Sequence, residues 1–217
     1  MKAALKLPEK QADALLVPTK EDLAVLKAEK HVEWAKQAAD NGITLVKDTA
    51  DNLPLRPEAT PRLLLQVIGP YEEANTQITS TVIPLLEKAG FRVTLYQPED
   101  FTTGFESVSQ FRSKYDAVLY LANVENRSNA TTTRINWYTF FGQGNNIPWL
   151  VDVVRTAFAS LGNPYHLMDV PMVKTYINTY DNHQAVIEAL VAKILGKSDF
   201  KGVSPIDPYC GLMDARR

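Results

Sequence analysis

Few side chains in this sequence are of the types that make or break bonds, and their spacing narrows what they could do. His31, His166 and His183 are scattered, and together with the single cysteine, Cys210, they cannot build a metal cage. No metal and no cofactor is expected. His166 follows Asn163-Pro164-Tyr165 just after a predicted strand, where a general base could sit, although a lone histidine in such a turn is more often a hydrogen-bonded structural group. Glu125 and Asp152 are the candidate pair for glycoside chemistry, which needs two carboxyl groups roughly 5 to 10 Å apart; solvated loop acids are the ordinary reading of such residues. Trp137, Tyr138, Phe140 and Phe141 crowd around Arg134, a cluster that could stack on a sugar ring, pack on another domain, or fill a core.

Other chemistries find no support. The serines lack both the Gly-x-Ser-x-Gly elbow and a nearby histidine with an orienting acid, so no hydrolase triad is expected. Gly142-Gln-Gly144 would need a further glycine where Ile147 stands, and no buried strand precedes it, so it reads as a turn. There is no Gly-x-x-x-x-Gly-Lys-Ser/Thr phosphate loop. Asn126-Arg-Ser and Asn129-Ala-Thr match the glycosylation acceptor, a pattern short enough to occur by chance.

The elements that must position these residues are plain. A polar stretch with Pro8 and Pro18 reads as a connector over 1–19. Thr19 can cap a helix running from Lys20 to the Asn41-Gly42 stop. Strands are predicted at 43–47, 62–68, 91–96, 115–122, 155–160 and 174–178, with helices over 75–89, 106–113 and 182–195 and short helical pieces over 135–141 and 148–154. Runs such as Arg62-Leu-Leu-Leu-Gln-Val-Ile68, apolar on both faces, belong to a parallel sheet covered on both sides. The β-α-β-α-β order predicts a three-layer αβα sandwich with a mostly parallel sheet of five to six strands. In such sheets ligands gather beyond the carboxyl ends of the strands, which makes the polar segment after Ala122 the first place to look for function. The tail over 202–211 is predicted as a loop or edge segment because its prolines cannot donate to a ladder.

Composition sets the outer limits. The 217 residues are 45% hydrophobic and 22% charged, which excludes a disordered, collagenous or coiled-coil chain. With 23 Lys+Arg against 25 Asp+Glu, the net charge is −2, and no positive surplus exists to neutralise a nucleic acid backbone. No apolar run approaches a membrane span, and the start of the chain has no signal-peptide pattern. A reducing, cytoplasmic compartment fits the lone cysteine best, with a disulfide-free bacterial surface protein as the alternative.

Two stretches carry a more specific likeness: Glu33-Trp-Ala-Lys-Gln-Ala-Ala-Asp-Asn-Gly-Ile-Thr-Leu-Val-Lys-Asp48, and Ala159-Ser-Leu-Gly-Asn-Pro-Tyr-His-Leu-Met-Asp-Val-Pro-Met-Val-Lys-Thr-Tyr-Ile-Asn-Thr-Tyr180 with the helix after it. They resemble the C-terminal domain of family-3 glycoside hydrolases, with closest similarity to the bacterial β-N-acetylhexosaminidase branch, from about residue 20 to the end. The resemblance implies a domain over 20–217 that packs on an N-terminal (β/α)₈ barrel bearing the nucleophilic aspartate and the His/Asp acid/base. Neither fits here, since a barrel of about 250 residues is longer than the whole chain. Ser198-Asp199 has a superficial likeness to the nucleophile motif but lies in a polar stretch after a helix and reads as a surface turn. In the glucosidase branch the general acid comes from this second domain. Glu125 is its nearest equivalent by position, although Asn123-Val-Glu-Asn-Arg127 does not reproduce the glucosidase pattern. The resemblance thus implies an accessory domain of a retaining exo-β-N-acetylglucosaminidase, inactive alone, acting on a β-linked N-acetylglucosamine-containing substrate. Asn123, Glu125, Arg134, Trp137, Asn163, Tyr165 and His166 would face the crevice or the barrel. A stand-alone carbohydrate-binding module is the first alternative, and a flavodoxin-like nucleotide-binding domain the second.

Overall fold

The computed structural model describes residues 3–13, 17–97, 107–125, 133–137, 139–140, 143–144 and 147–211. The chain forms two compact units, residues 1–37 and 38–217.

The smaller unit contains a short helix, α1 (Leu7–Ala12), with Pro8 in its first turn, where a missing amide hydrogen costs nothing. The expected connector is therefore partly helical. Thr19 caps the next segment by exchange with Asp22, its amide donating to the carboxylate at 2.9 Å while the Asp22 amide donates back to Thr19 Oγ1. The single helix predicted from Lys20 is two: a 3₁₀ segment, Asp22–Lys27, and α2 (Glu29–Gly42), which runs on into the larger unit. Ala28 leaves the helical region at φ −57°, ψ 139°, and its carbonyl accepts the His31 and Val32 amides that open α2. Alanine has no side-chain cap to announce such a break.

The larger unit is built on a six-stranded sheet, formed by β1 (Thr44–Asp48), β2 (Arg62–Ile68), β3 (Arg92–Leu95), β4 (Ala117–Ala122), β7 (Arg155–Ser160) and β8 (Thr175–Asn178) in the order β1-β8-β7-β4-β2-β3. All neighbours are parallel except β1, which runs antiparallel to β8. A separate pair, β5 (Thr139–Phe140) and β6 (Gln143–Gly144), stands where a helical piece and a turn were predicted. Residues 148–154 are turns rather than a helix, the Val153 and Val154 amides sharing the Leu150 carbonyl as acceptor.

Alternation along the buried strands splits the core in two. Leu63, Leu65, Leu119, Leu121, Ala157, Ala159 and Ile177 face α3 (Glu72–Lys88) and α5 (Gln184–Ile194), through Ile78, Val82, Leu86, Ile187 and Leu190. Leu64, Val118, Tyr120, Phe158 and Tyr176 face the other way, onto Phe111 of α4 (Val108–Lys114) and the irregular segments carrying Val124, Ile135, Val151, Leu167 and Val173. The three layers are as expected, with one outer layer mostly irregular. A polar latch closes the unit: buried Lys193 pairs with Asp40 at 3.1 Å and donates to the Asp199 carbonyl at 2.6 Å, while Ser198 donates to Asp40. That donation, with those of Lys193 and Lys201, brings the Asp40 carboxyl down to about 2. Ser198-Asp199 is a turn held by these contacts.

Candidate functional site

The strand order reverses between β2 and β4, so the chain opens a crevice beyond their carboxyl ends. Its floor is a chain of amides. Asn123, directly after β4, donates to Asn75 Oδ1 at 3.1 Å and accepts from Asn182 at 2.9 Å; Asn75 donates to the Gly69 carbonyl at 3.0 Å. Gly69 is required here, because a Cβ on it would lie 2.6 Å from the Asn123 carbonyl oxygen and 2.7 Å from Asn75 Oδ1. Two strands, β2 and β4, and two helices, α3 and α5, are thus tied at one point, and Asn123, 3% exposed, is a support beneath the surface rather than a ligand group.

Beside this floor a hollow of about 240 Å³ is lined by Glu125, Gly162, Asn163, Pro164, Tyr165, Tyr180 and Asp181. Glu125 is half-buried and presses on Gly162, where a Cβ would come within 2.8 Å of its Cγ. Tyr165 is exposed at the rim. Asn163 is buried, its side chain accepting from the Tyr165 amide at 2.9 Å and donating to the Thr133 carbonyl at 3.3 Å. Asp181 lies in the turn before α5, and its Oδ1 accepts from the Asn182 amide at 2.6 Å, the His183 amide at 3.1 Å and His183 Nδ1 at 2.5 Å. Burial acts to raise the Asp181 carboxyl, but the His183 ring and the two amides outweigh it and hold it below the usual range. His183 is raised in turn by Asp181, with a smaller contribution from Glu125. A carboxylate with three donors on one oxygen is committed to holding the turn before α5 and orienting His183, and is a poor nucleophile.

His166 lies just inside. Its Nδ1 is 2.7 Å from Ser160 Oγ and its Nε2 2.8 Å from the Thr133 carbonyl, with the Ser160 hydroxyl also against the Asn163 carbonyl. Ser160, at the end of β7, meets His166 across the turn between them, but without the orienting acid that a triad needs. The pair forms no nucleophile, since both residues are 1% exposed or less and the ring's far nitrogen meets a carbonyl instead of an acid. Burial lowers the pKa of His166, and the Thr133 contact only partly offsets this.

The remaining candidates separate. Arg134 is exposed, its Nε 2.5 Å from Asp169 Oδ1, and Trp137 packs half-buried against the core. Tyr138 and Phe141 lie outside the described residues, as do both glycosylation motifs and Gly142. Asp152 cannot partner Glu125. It precedes the amino end of β7, near Lys174 at 3.5 Å, whereas Glu125 follows the carboxyl end of β4 in parallel register. The intervening strand spans about 20 Å at ~3.3 Å per residue, against the ~10 Å that paired carboxylates tolerate at most. Sequence reasoning missed Asn75, Tyr180, Asp181, Asn182 and His183. The last four directly follow β8, at the same end of the sheet as Glu125, and that position was the available signal.

No family model matches the chain. A β-N-acetylglucosaminidase/β-glucosidase of Cellulomonas fimi is 37% identical over 204 residues, which cover 91% of this chain and 36% of that protein. The structure of a β-glucoside phosphorylase, BglX, superposes with a TM-score of 0.82 at 39% identity, covering 99% of this chain and 38% of that one. A glycoside hydrolase family 3 β-N-acetylglucosaminidase from Paenibacillus sp. shares the fold at 17% identity and a TM-score of 0.56, with 93% of this chain covered. The chain therefore spans little more than a third of the length of these relatives. Among the described residues, no helix is long and apolar enough to cross a membrane, and no group of three or more His, Cys, Asp or Glu is placed to hold a metal ion.

Proposed function

Because the chain belongs to glycoside hydrolase family 3 and corresponds to the C-terminal part of its members, we propose that it is the accessory second domain of a retaining exo-β-N-acetylglucosaminidase. In this reading residues 1–19 are the connector and 20–217 the domain. The nucleophilic carboxylate belongs to an N-terminal (β/α)₈ barrel, forms the glycosyl-enzyme, and is released by water. The chain's own part is to close one wall of the crevice. The floor of Asn75, Asn123 and Asn182 holds the strand ends in register, His166 and Asn163 hold the segment at Thr133, and Glu125, Tyr165 and Arg134 reach the surface toward substrate or barrel.

One observation carries this reading: nearly all of the chain matches little more than a third of its relatives' length, so that most of such an enzyme lies outside it. The likeness to BglX supports a second reading, in which phosphate replaces water as the acceptor and the product is a sugar 1-phosphate.

The assay uses the full-length polypeptide and the 217-residue chain, with aryl β-N-acetylglucosaminide and aryl β-glucoside, with and without inorganic phosphate. Turnover of the N-acetylglucosaminide by the full-length protein alone is expected. Phosphate-dependent release of a sugar 1-phosphate would favour the second reading. Turnover by the 217-residue chain, abolished by Glu125→Gln, would overturn the accessory role.

A further inference from the structure

We infer that the groove between α3 and α5 is a binding site for a neutral, hydroxyl-rich ligand, a short oligosaccharide, separate from the hollow at Glu125. The site belongs to this chain alone and does not depend on a parent enzyme's reaction.

The groove encloses about 430 Å³, nearly twice the hollow at Glu125 and within the range of small-molecule sites. Ile78 and Ile187, 4% and 1% exposed, form its base. Its walls are uncharged, with Gln77, Ser80 and Thr81 from α3, Asn182 from just before α5 and Gln184 from its first turn. From Ala74 to Leu86 the helix α3 bears no charged side chain, although Thr76, Gln77, Ser80 and Pro84 are exposed. His183 is the one titratable group in the lining among the described residues, and its Nδ1 already meets Asp181 at 2.5 Å. The turn at 181–183 thus separates two hollows, with Asp181 lining one and Asn182 and His183 the other.

The hydrogen-bonding capacity left in these walls selects the ligand. Ser80 Oγ and Thr81 Oγ1 both donate to the Gln77 carbonyl, at 2.8 and 3.1 Å. Asn182 Nδ2 donates to Asn123 at 2.9 Å, and Gln184 Nε2 to Glu188 at 2.8 Å. The two hydroxyls have therefore committed their only proton inside the protein and the two amides one of their two, so what remains on offer is chiefly lone pairs. Pro84 adds a further acceptor, because it brings no amide to the Ser80 carbonyl one turn earlier. Phosphate or a carboxylate would set its own lone pairs against these, and a cation would find no carboxylate in the lining. A neutral sugar supplies O–H donors for the walls and a C–H face for Ile78 and Ile187. No tryptophan, tyrosine or phenylalanine lines the groove among the described residues, so binding is expected at about millimolar concentration and leaves tryptophan fluorescence unmoved.

Amide chemical-shift mapping of the 217-residue chain tests this. Chitobiose and cellobiose serve as neutral probes, inorganic phosphate as the anion and glycerol as the unspecific polyol, each raised to about 50 mM. Either disaccharide should move the amides of Gln77, Ser80, Thr81 and Gln184 along saturable curves. Gln77→Ala with Thr81→Val strips acceptors from one wall and should weaken that binding at least about fivefold, with the amides of β2, β4 and β7 unmoved. No saturable shift with either disaccharide overturns the inference. So do shifts that glycerol reproduces at the same concentration, shifts with phosphate alone, and shifts centred on Glu125 and Tyr165 that leave α3 unmoved. Undiminished affinity in the folded double variant overturns it as well.

Discussion

At Ser160 one hydroxyl proton faces two acceptors, the Asn163 carbonyl and His166 Nδ1, while Nε2 must donate to the Thr133 carbonyl. Neutral imidazole and serine together supply two protons for three contacts. An imidazolium would satisfy all three, but burial resists the charge, as does nearby Arg134, with Asp169 acting in the opposite sense. The ring's folded pKa therefore lies below its unfolded value of about 6.5. Its contribution to stability is complete above pH 6.5 and is lost as pH falls below it, because the unfolded chain takes up a proton that the folded ring refuses. His183 has the opposite sign, being raised by Asp181, and is exposed. Urea unfolding of wild type and His166→Gln at pH 7 and pH 5.5 should show a steeper loss of stability in the wild type; equal losses would remove His166 as the cause. The sequence offered the hydrogen-bonded structural reading of His166 but not its partners, since Thr133 lies 33 residues away and Ser160 across the turn.

Among the elements, the latch between α5, the end of α2 and the 198–201 turn stands on one buried ammonium. Removing Asp40 leaves Lys193 with the Asp199 carbonyl and Ser198 hydroxyl but no countercharge. Asp40→Ala should cost about 3 kcal/mol, near the lower end for breaking a buried pair, because Asp40 is partly exposed. Lys193→Met keeps the apolar stem, discards the charge, and should cost under about 1.5 kcal/mol. Denaturant midpoints check the ordering, and a larger loss for Lys193→Met would contradict it. Lowering pH from 4 toward 2 should weaken the latch as Asp40 is protonated through its folded pKa of about 2. The strands were well legible, since Arg62–Ile68 and Arg155–Ser160 declare themselves by buried apolar runs between breakers. The break at Ala28 and the β5–β6 pair were not, because neither a capping side chain nor an alternating pattern marks them. The site was legible in part: Glu125, Asn163 and Tyr165 meet in one hollow, as strand-end position suggested, but the same rule applied after β8 would have added Asp181 and His183.

For the molecule as a whole, a stand-alone sugar-binding module would need an open aromatic platform. Trp137 is instead packed against the core, and Trp34 and Trp149, 58% and 65% exposed, come from separate parts of the chain. Titrating the 217-residue chain with N-acetylglucosamine oligomers should give no saturable change in tryptophan fluorescence; saturable quenching would restore the module reading. The reversed first strand decides where the chain enters the sheet. Since β1 is antiparallel, its first residue, Thr44, pairs with Asn178 at the carboxyl end of β8, the end where the crevice opens. A parallel β1 would have admitted the polypeptide at the opposite rim. The chain therefore enters the sheet at the crevice rim, where Thr44 sits beside Asn178, and a disturbance of the backbone at Ile43 and Thr44 would be felt at the site before it is felt at the far end of the sheet.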